Sequence, residues 1–247
     1  MTVLTETRRR FLHILAGVST WLLGSPLNMT QAKTLNHGPI DSNKTGLAEI
    51  MWADLKREPG SANEVIPLSA VEDRRRVEVV LLSANTTLRL DPNIRNDIYM
   101  LKGQILEQTK VYPTGTFITR RIETHLTAGP QGAMLFIYRD QLDPGARNET
   151  VLPADLEWYQ GGAEGMEVAP LFEDMHQLML VSWLPGTQIG FHTHPRGEEI
   201  FVLEGELRDQ QGRYPAGTWQ RLYPGTSHAP YAEVKTLILL RNGHLHA

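Results

Sequence analysis

A displacement of 102 residues lays this chain over itself. Asn96-Asp97-Ile98-Tyr99-Met100-Leu101-Lys102-Gly103 falls on Glu198-Glu199-Ile200-Phe201-Val202-Leu203-Glu204-Gly205, and Tyr112-Pro113-Thr114-Gly115-Thr116 on Tyr214-Pro215-Ala216-Gly217-Thr218. Leu135 and Arg139 fall on Leu237 and Arg241. Between residues 77 and 139 there are 13 identities without a gap, against roughly four expected by chance at ordinary residue frequencies. The displacement is too long for a solenoid repeat, so it marks a domain present twice.

Each copy consists of short aliphatic and β-branched runs, such as Val77-Glu78-Val79-Val80-Leu81-Leu82 and Thr236-Leu237-Ile238-Leu239-Leu240, bounded by Gly and Pro turns. Several strands at that spacing predict an all-β barrel or sandwich. The 21 glycines and 15 prolines suit such a turn-rich fold. Residues 48–140 are expected to form the first barrel, with a short helical entry at 52–57. Residues 141–164, containing Asp143-Pro144-Gly145 and Gly161-Gly162, read as a connection, and 165–247 as the second barrel. Residues 33–47 read as a polar lead-in.

The N-terminus reads as an address. Arg8-Arg9-Arg10-Phe11-Leu12 precedes an apolar stretch from Ile14 to Leu23, and a Thr-x-Ala site ends at Ala32. A positive region, a short apolar region and a small-residue site form a secretory signal over residues 1–32. The paired arginines resemble the twin-arginine export signal of bacteria, which implies a periplasmic protein whose signal is removed. Cleavage after Ala32 would remove Glu6 and three arginines, taking the net charge from −4 to −6. Beyond that segment no basic run supports nucleic-acid binding, and no apolar stretch is long enough for a transmembrane anchor. The absence of cysteine excludes thiol catalysis, thiolate zinc sites and disulfides.

The second copy carries a candidate metal constellation. His192 and His194, two apart, project from one face of a strand. Glu198 opens the next strand after Pro195-Arg196-Gly197, and His228 follows the turn Pro224-Gly225-Thr226-Ser227. Three imidazoles and a carboxylate converging inside a barrel suit a divalent first-row metal.

These residues sit in a recognisable frame. Gly186, five residues, His192-x-His194, three residues, Glu198, six residues and Gly205 match the first motif of the cupin superfamily. Gly217 with Pro224-Gly225-x-x-His228 resembles the second, with one residue's difference in spacing and no terminal asparagine. Within the superfamily the chain most resembles the cupin-like domain of the anti-sigma factor ChrR, through the run from His194 to Glu199, Gly212-x-Tyr214-Pro215-x-Gly217 and Ser227-His228-Ala229-Pro230. The resemblance implies tandem cupin (double-stranded β-helix, jelly-roll) barrels. It also implies one metal ion on His192, His194, Glu198 and His228, zinc as in ChrR or iron, with manganese, nickel or copper compatible. It does not imply a sigma-factor partner, because that role rests on a cysteine-ligated helical domain and this chain has no cysteine.

The first copy lacks the set. At the same displacement His192, His194 and Glu198 meet Leu90, Pro92 and Asn96, and His125 falls one residue from the place of His228. That barrel is expected to be a scaffold without metal, or a half used for pairing, and a homodimer is compatible. Alternation turns Glu199 away from the metal, into a solvated or structural role. Trp183, Phe191, Trp219, Arg221, Tyr223, Tyr231 and Arg241 read as core or rim residues, with Arg241 structural because Arg139 matches it. His244 and His246 read as a frayed tail, and His37 and His176 lack a partner in sequence. Cupins with this ligand set include dioxygenases acting on enols and diketones. By that analogy the expectation is an enzyme whose Glu198 also serves as a base, on a small-molecule substrate. The alternative is a zinc-binding module that senses a small ligand.

Overall fold

The computed structural model describes residues 40–41, 63–69, 73–141, 148–174 and 176–245. The export segment 1–32, the expected helical entry at 52–57, His37 and His246 lie outside the described residues. Among the described residues regular structure is strand, apart from one turn of 3-10 helix at Pro153–Asp155. The chain divides into two compact units, with the boundary between Leu156 and Glu157.

Strand β1 (Ile40–Asp41) belongs to the second unit. The first unit holds β2 (Glu64–Pro67), β3 (Arg75–Leu82), β4 (Thr87–Leu90), β5 (Arg95–Glu107), β6 (Lys110–Pro113), β7 (Phe117–Arg120), β8 (Thr124–Asp140) and β9 (Glu149–Val151). They form an antiparallel sheet in the order β2-β3-β8-β5-β7-β9, with β4 on β8 and β6 on β5. Alternation on these strands points Val80, Leu82, Leu90, Ile98, Met100, Ile118, Leu126, Leu135 and Ile137 into one buried cluster.

The second unit holds β10 (Tyr159–Gln160), β11 (Met166–Glu173), β12 (Gln177–Trp183), β13 (His192–His194), β14 (Glu198–Glu204), β15 (Glu206–Arg208), β16 (Arg213–Pro215), β17 (Trp219–Leu222), β18 (Thr226–His228) and β19 (Thr236–Asn242). Its main sheet runs β1-β17-β14-β19-β12-β11-β10, and β13-β18 and β15-β16 form two-stranded sheets. The inward residues Val168, Met179, Val181, Trp183, Ile200, Val202, Leu207, Tyr214, Leu222 and Ile238 make its core. Both units are all-β, as the strand pattern predicts, and have the jelly-roll architecture that the resemblance implies.

Two stretches differ from expectation. Residues 141–164 are more than a connection: β9 pairs with β7 in the first unit and β10 with β11 in the second. Within the polar lead-in, Ile40 pairs with Leu222 and Asp41 with Arg221, adding an edge strand beside β17.

The copies correspond strand by strand, but not at a single displacement. With β5 and β14 held at 102, Ile98 pairs with Ile137 while Ile200 pairs with Leu240, so β8 meets β19 one residue further along. Val80 pairs with Leu135 and Val181 with Ile238, so β3 and β12 are one residue closer. The matches of Leu135 with Leu237 and of Arg139 with Arg241 are therefore not structural. Arg139 stands where Asn242 stands, and a one-residue slip puts Arg241 on the opposite face of its sheet.

Candidate metal centre

The hairpin of β13 and β18 assembles the site. His192 pairs with His228 and His194 with Thr226, and the two-residue period turns His192, His194 and His228 to one side. On the other side the Thr193 and Ser227 hydroxyls meet at 2.7 Å. The turn at Pro195-Arg196-Gly197 returns the chain into β14 and delivers Glu198. Gly197 has φ +69, and a Cβ there would lie 2.7 Å from the Leu245 side chain and 2.9 Å from the Leu222 carbonyl, so this turn requires glycine.

The ligand atoms of His192, His194 and His228 all lie within 4.8 Å of one another. Their ring centroids are 4.7 to 5.0 Å apart. Glu198 Oε2 lies 3.5 Å from His194 Nε2 and 3.7 Å from His228 Nε2. His194, Glu198 and His228 are buried. All four predicted side chains are therefore brought together.

The ring orientations follow from the far nitrogens. His192 Nδ1 is 2.9 Å from the Gly190 carbonyl, so it carries the proton and leaves the Nε2 lone pair for the site. His228 Nδ1 faces Asp209 Oδ2 at 3.4 Å, with the same consequence. Asp209 is itself held: its Oδ1 accepts from the Gln211 N–H (2.7 Å), the Gly212 N–H (3.1 Å) and the Tyr214 hydroxyl (2.9 Å). Burial pushes the Asp209 carboxyl up, but hydrogen bonds from His228, Gln211 and Tyr214 outweigh it and hold the group below its ordinary range. Sequence reading missed Asp209. A carboxylate in the β15–β16 turn looks like any turn residue until register places it behind His228.

Without a metal these groups are held at a cost. Burial, helped by the two neighbouring imidazoles, drives His194 down to about 2, and burial lowers His192. Burial raises Glu198 to about 7, with His228 opposing. The Nε2 atoms of His194 and His228 are buried without a hydrogen-bond partner, which folded proteins rarely tolerate. A divalent cation answers all of these features at once: it takes the orphaned lone pairs and favours the carboxylate form of Glu198. Three imidazoles and one carboxylate suit zinc, iron, manganese, nickel or copper.

In the first unit the same positions are closed. Leu88 pairs with Leu126 and Leu90 with Thr124, so the register places Leu88, Leu90 and Leu126 where the second unit has His192, His194 and His228. The shift of two residues relative to the ungapped match arises from a longer turn between β4 and β5. Asn96 holds the place of Glu198, and its Oδ1 accepts from Arg139 Nη1 at 2.8 Å. Arg139 also pairs with Glu78, so a guanidinium fills the space beside the leucines. His125 is exposed on the opposite face of β8.

Other sequence candidates fall elsewhere. Glu199 does turn away from the site but is not solvated: it is fully buried, with Arg221 Nε at 2.6 Å and His244 Nε2 at 2.8 Å. His244 is not part of a frayed tail. It is buried, and the Gly243 and Leu245 N–H groups donate to the Gly197 and Arg196 carbonyls. Its ring lies 6.3 Å from that of His176. Trp219 stacks beside Arg221 on that same outer face, Trp183 lies in the core, and Phe191 is 47 % exposed beside His192.

Residues 146–246 match the ChrR cupin-like domain family. No curated protein matches the chain. Among solved structures, a cupin 2 conserved barrel domain protein from Leptotrichia buccalis has a TM-score of 0.57 at 14 % identity, over 85 % of this chain and 98 % of its own. A mutant of Bacillus subtilis oxalate decarboxylase has a TM-score of 0.58 at 13 % identity, over 91 % of this chain and 85 % of its own. A candidate dioxygenase from Nostoc punctiforme has a TM-score of 0.63 at 13 % identity, over 74 % of each chain. Identities this low speak to fold. Together with the domain match they support the cupin superfamily for this chain.

Proposed function

We propose that the ChrR-like barrel binds one divalent metal ion through His192, His194, Glu198 and His228, and that the protein is a metal-dependent oxidoreductase of dioxygenase type. Its substrate would be a small enol or diketone. The observation that carries this reading is the pair of buried, unpartnered imidazole nitrogens facing a buried carboxyl across 3.5 and 3.7 Å. Structural metal sites are usually closed and rich in cysteine, whereas this set leaves coordination positions free for a substrate.

The bound metal would act as a Lewis acid, stabilising an enolate and placing a second reactant beside it. The chain's own residues supply the rest. His192 and His228 are fixed by the Gly190 carbonyl and Asp209, so their Nε2 atoms face the site. Glu198, held as a carboxylate 3.5 and 3.7 Å from His194 and His228, would leave the metal to take the proton of an enol hydroxyl. The apolar inner wall of Met179, Val181, Ile200 and Leu222 keeps bulk water from the reacting group. Structural neighbours named as a candidate dioxygenase and as an oxalate decarboxylase lend this chemistry support by analogy.

The match to the ChrR cupin-like domain favours a second reading, a zinc-binding module that binds or senses a small ligand without turnover. Oxygen uptake by the metal-loaded protein with enols and diketones separates the two. Consumption that is lost in Glu198→Gln supports the enzyme, and its absence with every metal supports the module.

The protein is further proposed to be periplasmic, exported by the twin-arginine route on the strength of Arg8-Arg9-Arg10-Phe11-Leu12. That route carries folded proteins, which agrees with metal loading before export. Nucleic acid, a sigma factor and a stable membrane anchor are not among the proposed partners.

A further inference from the structure

The interior of the second barrel keeps polar groups that the first does without. Gln220 is fully buried, and its side-chain oxygen has no hydrogen-bond partner, while the Tyr214 hydroxyl is the group that meets its NH2. It shares the inner face of β17 with Leu222, which belongs to the core cluster and lies opposite Glu198, while Gln220 itself lies opposite Ile200. The amide is thus one same-face step, ~7 Å along the strand, from the carboxylate of the proposed site. Thr226, opposite His194 and on the same face as His228, also has a buried hydroxyl without a partner.

The first barrel serves as an internal control. In the matched register Ile118 stands where Gln220 does, buried in the apolar cluster. Thr124 stands where Thr226 does, and there the hydroxyl donates to the Ile122 carbonyl at 3.1 Å. The fold therefore needs neither the amide nor a free hydroxyl at these places. A buried polar group kept against that background addresses something that binds.

The amide also restricts the ligand. Tyr214 lies beside Gln220 and gives its hydroxyl proton to Asp209. Its oxygen can accept from the Gln220 NH2 but offers nothing to the Gln220 carbonyl. That carbonyl requires a donor. A bare ketone or carboxylate has none, whereas a hydroxyl does.

We infer that Gln220 is a specificity-determining residue that selects small carboxylates and enols carrying a hydroxyl, with the acid or enol oxygen at the metal and the hydroxyl against Gln220. This inference rests on the metal reading and narrows its substrate class from diketones towards hydroxylated acids and enols. A site built to pair a hydroxyl discriminates strongly against the analogue that lacks it.

The test uses the purified, metal-loaded protein, its metal content measured first. Calorimetric affinities are compared for glycolate against acetate and for 3-hydroxypropionate against propionate. The parent should favour the hydroxy acid of at least one pair by about tenfold or more, and Gln220→Ile, which copies the first barrel's residue, should abolish that preference while retaining metal. The metal-free Gln220→Ile protein should melt above the metal-free parent, because a buried amide with an orphan carbonyl has been removed. No preference in the parent, or a preference that survives the substitution, overturns the inference, as does a lower melting temperature, which would make the amide structural. A parent that takes up no metal overturns the metal reading and this inference with it. Full metal with an unchanged preference overturns this inference alone.

Discussion

Asp209 shows how one residue outside the ligand set governs it. Its Oδ2 faces His228 Nδ1 at 3.4 Å, and three donors hold its Oδ1. Outer carboxylates of this kind fix the tautomer of a ligating histidine and raise its basicity. Asp209→Asn should weaken metal affinity by about 10- to 100-fold with unchanged stoichiometry at saturation, as read by titration against a competing chelator. An unchanged affinity would reduce Asp209 to a turn residue. His244 makes a different prediction. Burial, with Arg241 and Arg221 assisting and Glu199 opposing, lowers it to about 4. Its folded pKa is below the ordinary 6.5, so the unfolded chain binds the extra proton first and stability falls as pH drops from about 6.5 towards 4. His244→Gln should flatten the fall in melting temperature across that window; an equally steep fall in the variant would assign the acid sensitivity elsewhere.

At the scale of elements, the strand β14 and its flanking turns set the site. Gly205 ends the strand with φ +74, and a Cβ there would lie 2.2 Å from the Lys235 carbonyl oxygen. Gly186 has a similar φ of +89 but open space around it. Gly205→Ala should cost about 3 kcal/mol or more and Gly186→Ala about 1 kcal/mol, since the first adds a backbone clash to the strain of a left-handed conformation. Denaturant midpoints measure the difference, and equal losses would mean that the clash relaxes. The strands and the ligand hairpin were legible in sequence because alternation and the His-x-His spacing are local signals. What was not legible depended on register. Small differences in turn length shift β3, β4 and β8 relative to β5, so Leu88 rather than Pro92 joins Leu90 in the place of the histidines, and Arg139 is no counterpart of Arg241. For Glu199 the structural alternative holds rather than the solvated one, and His244 was misread for a related reason: nothing within a few residues of either shows that the tail after β19 folds back onto the turn at Arg196 and Gly197.

On the scale of the whole molecule, one fold is used in two ways. The first unit fills its interior with Leu88, Leu90, Leu126 and an Arg139–Glu78 pair, and the second keeps histidines, a carboxyl and an amide with a free carbonyl there. The chain also carries the arginine segment that is proposed to direct its export. Replacing Arg8, Arg9 and Arg10 together by Lys should leave the protein in the cytoplasm at full length, whereas the parent should be recovered from the periplasm with a mass that begins at Lys33; recovery of the two from the same fraction would refute the export proposal. The most direct test of the central claim is the metal content of the protein purified without added metal, set beside that of His192→Ala and His228→Ala. The account predicts about one equivalent of a divalent first-row metal in the parent and loss of stoichiometric metal in each variant, with a melting temperature that depends on metal concentration only in the parent. A parent without metal, or variants that keep full occupancy, would contradict it.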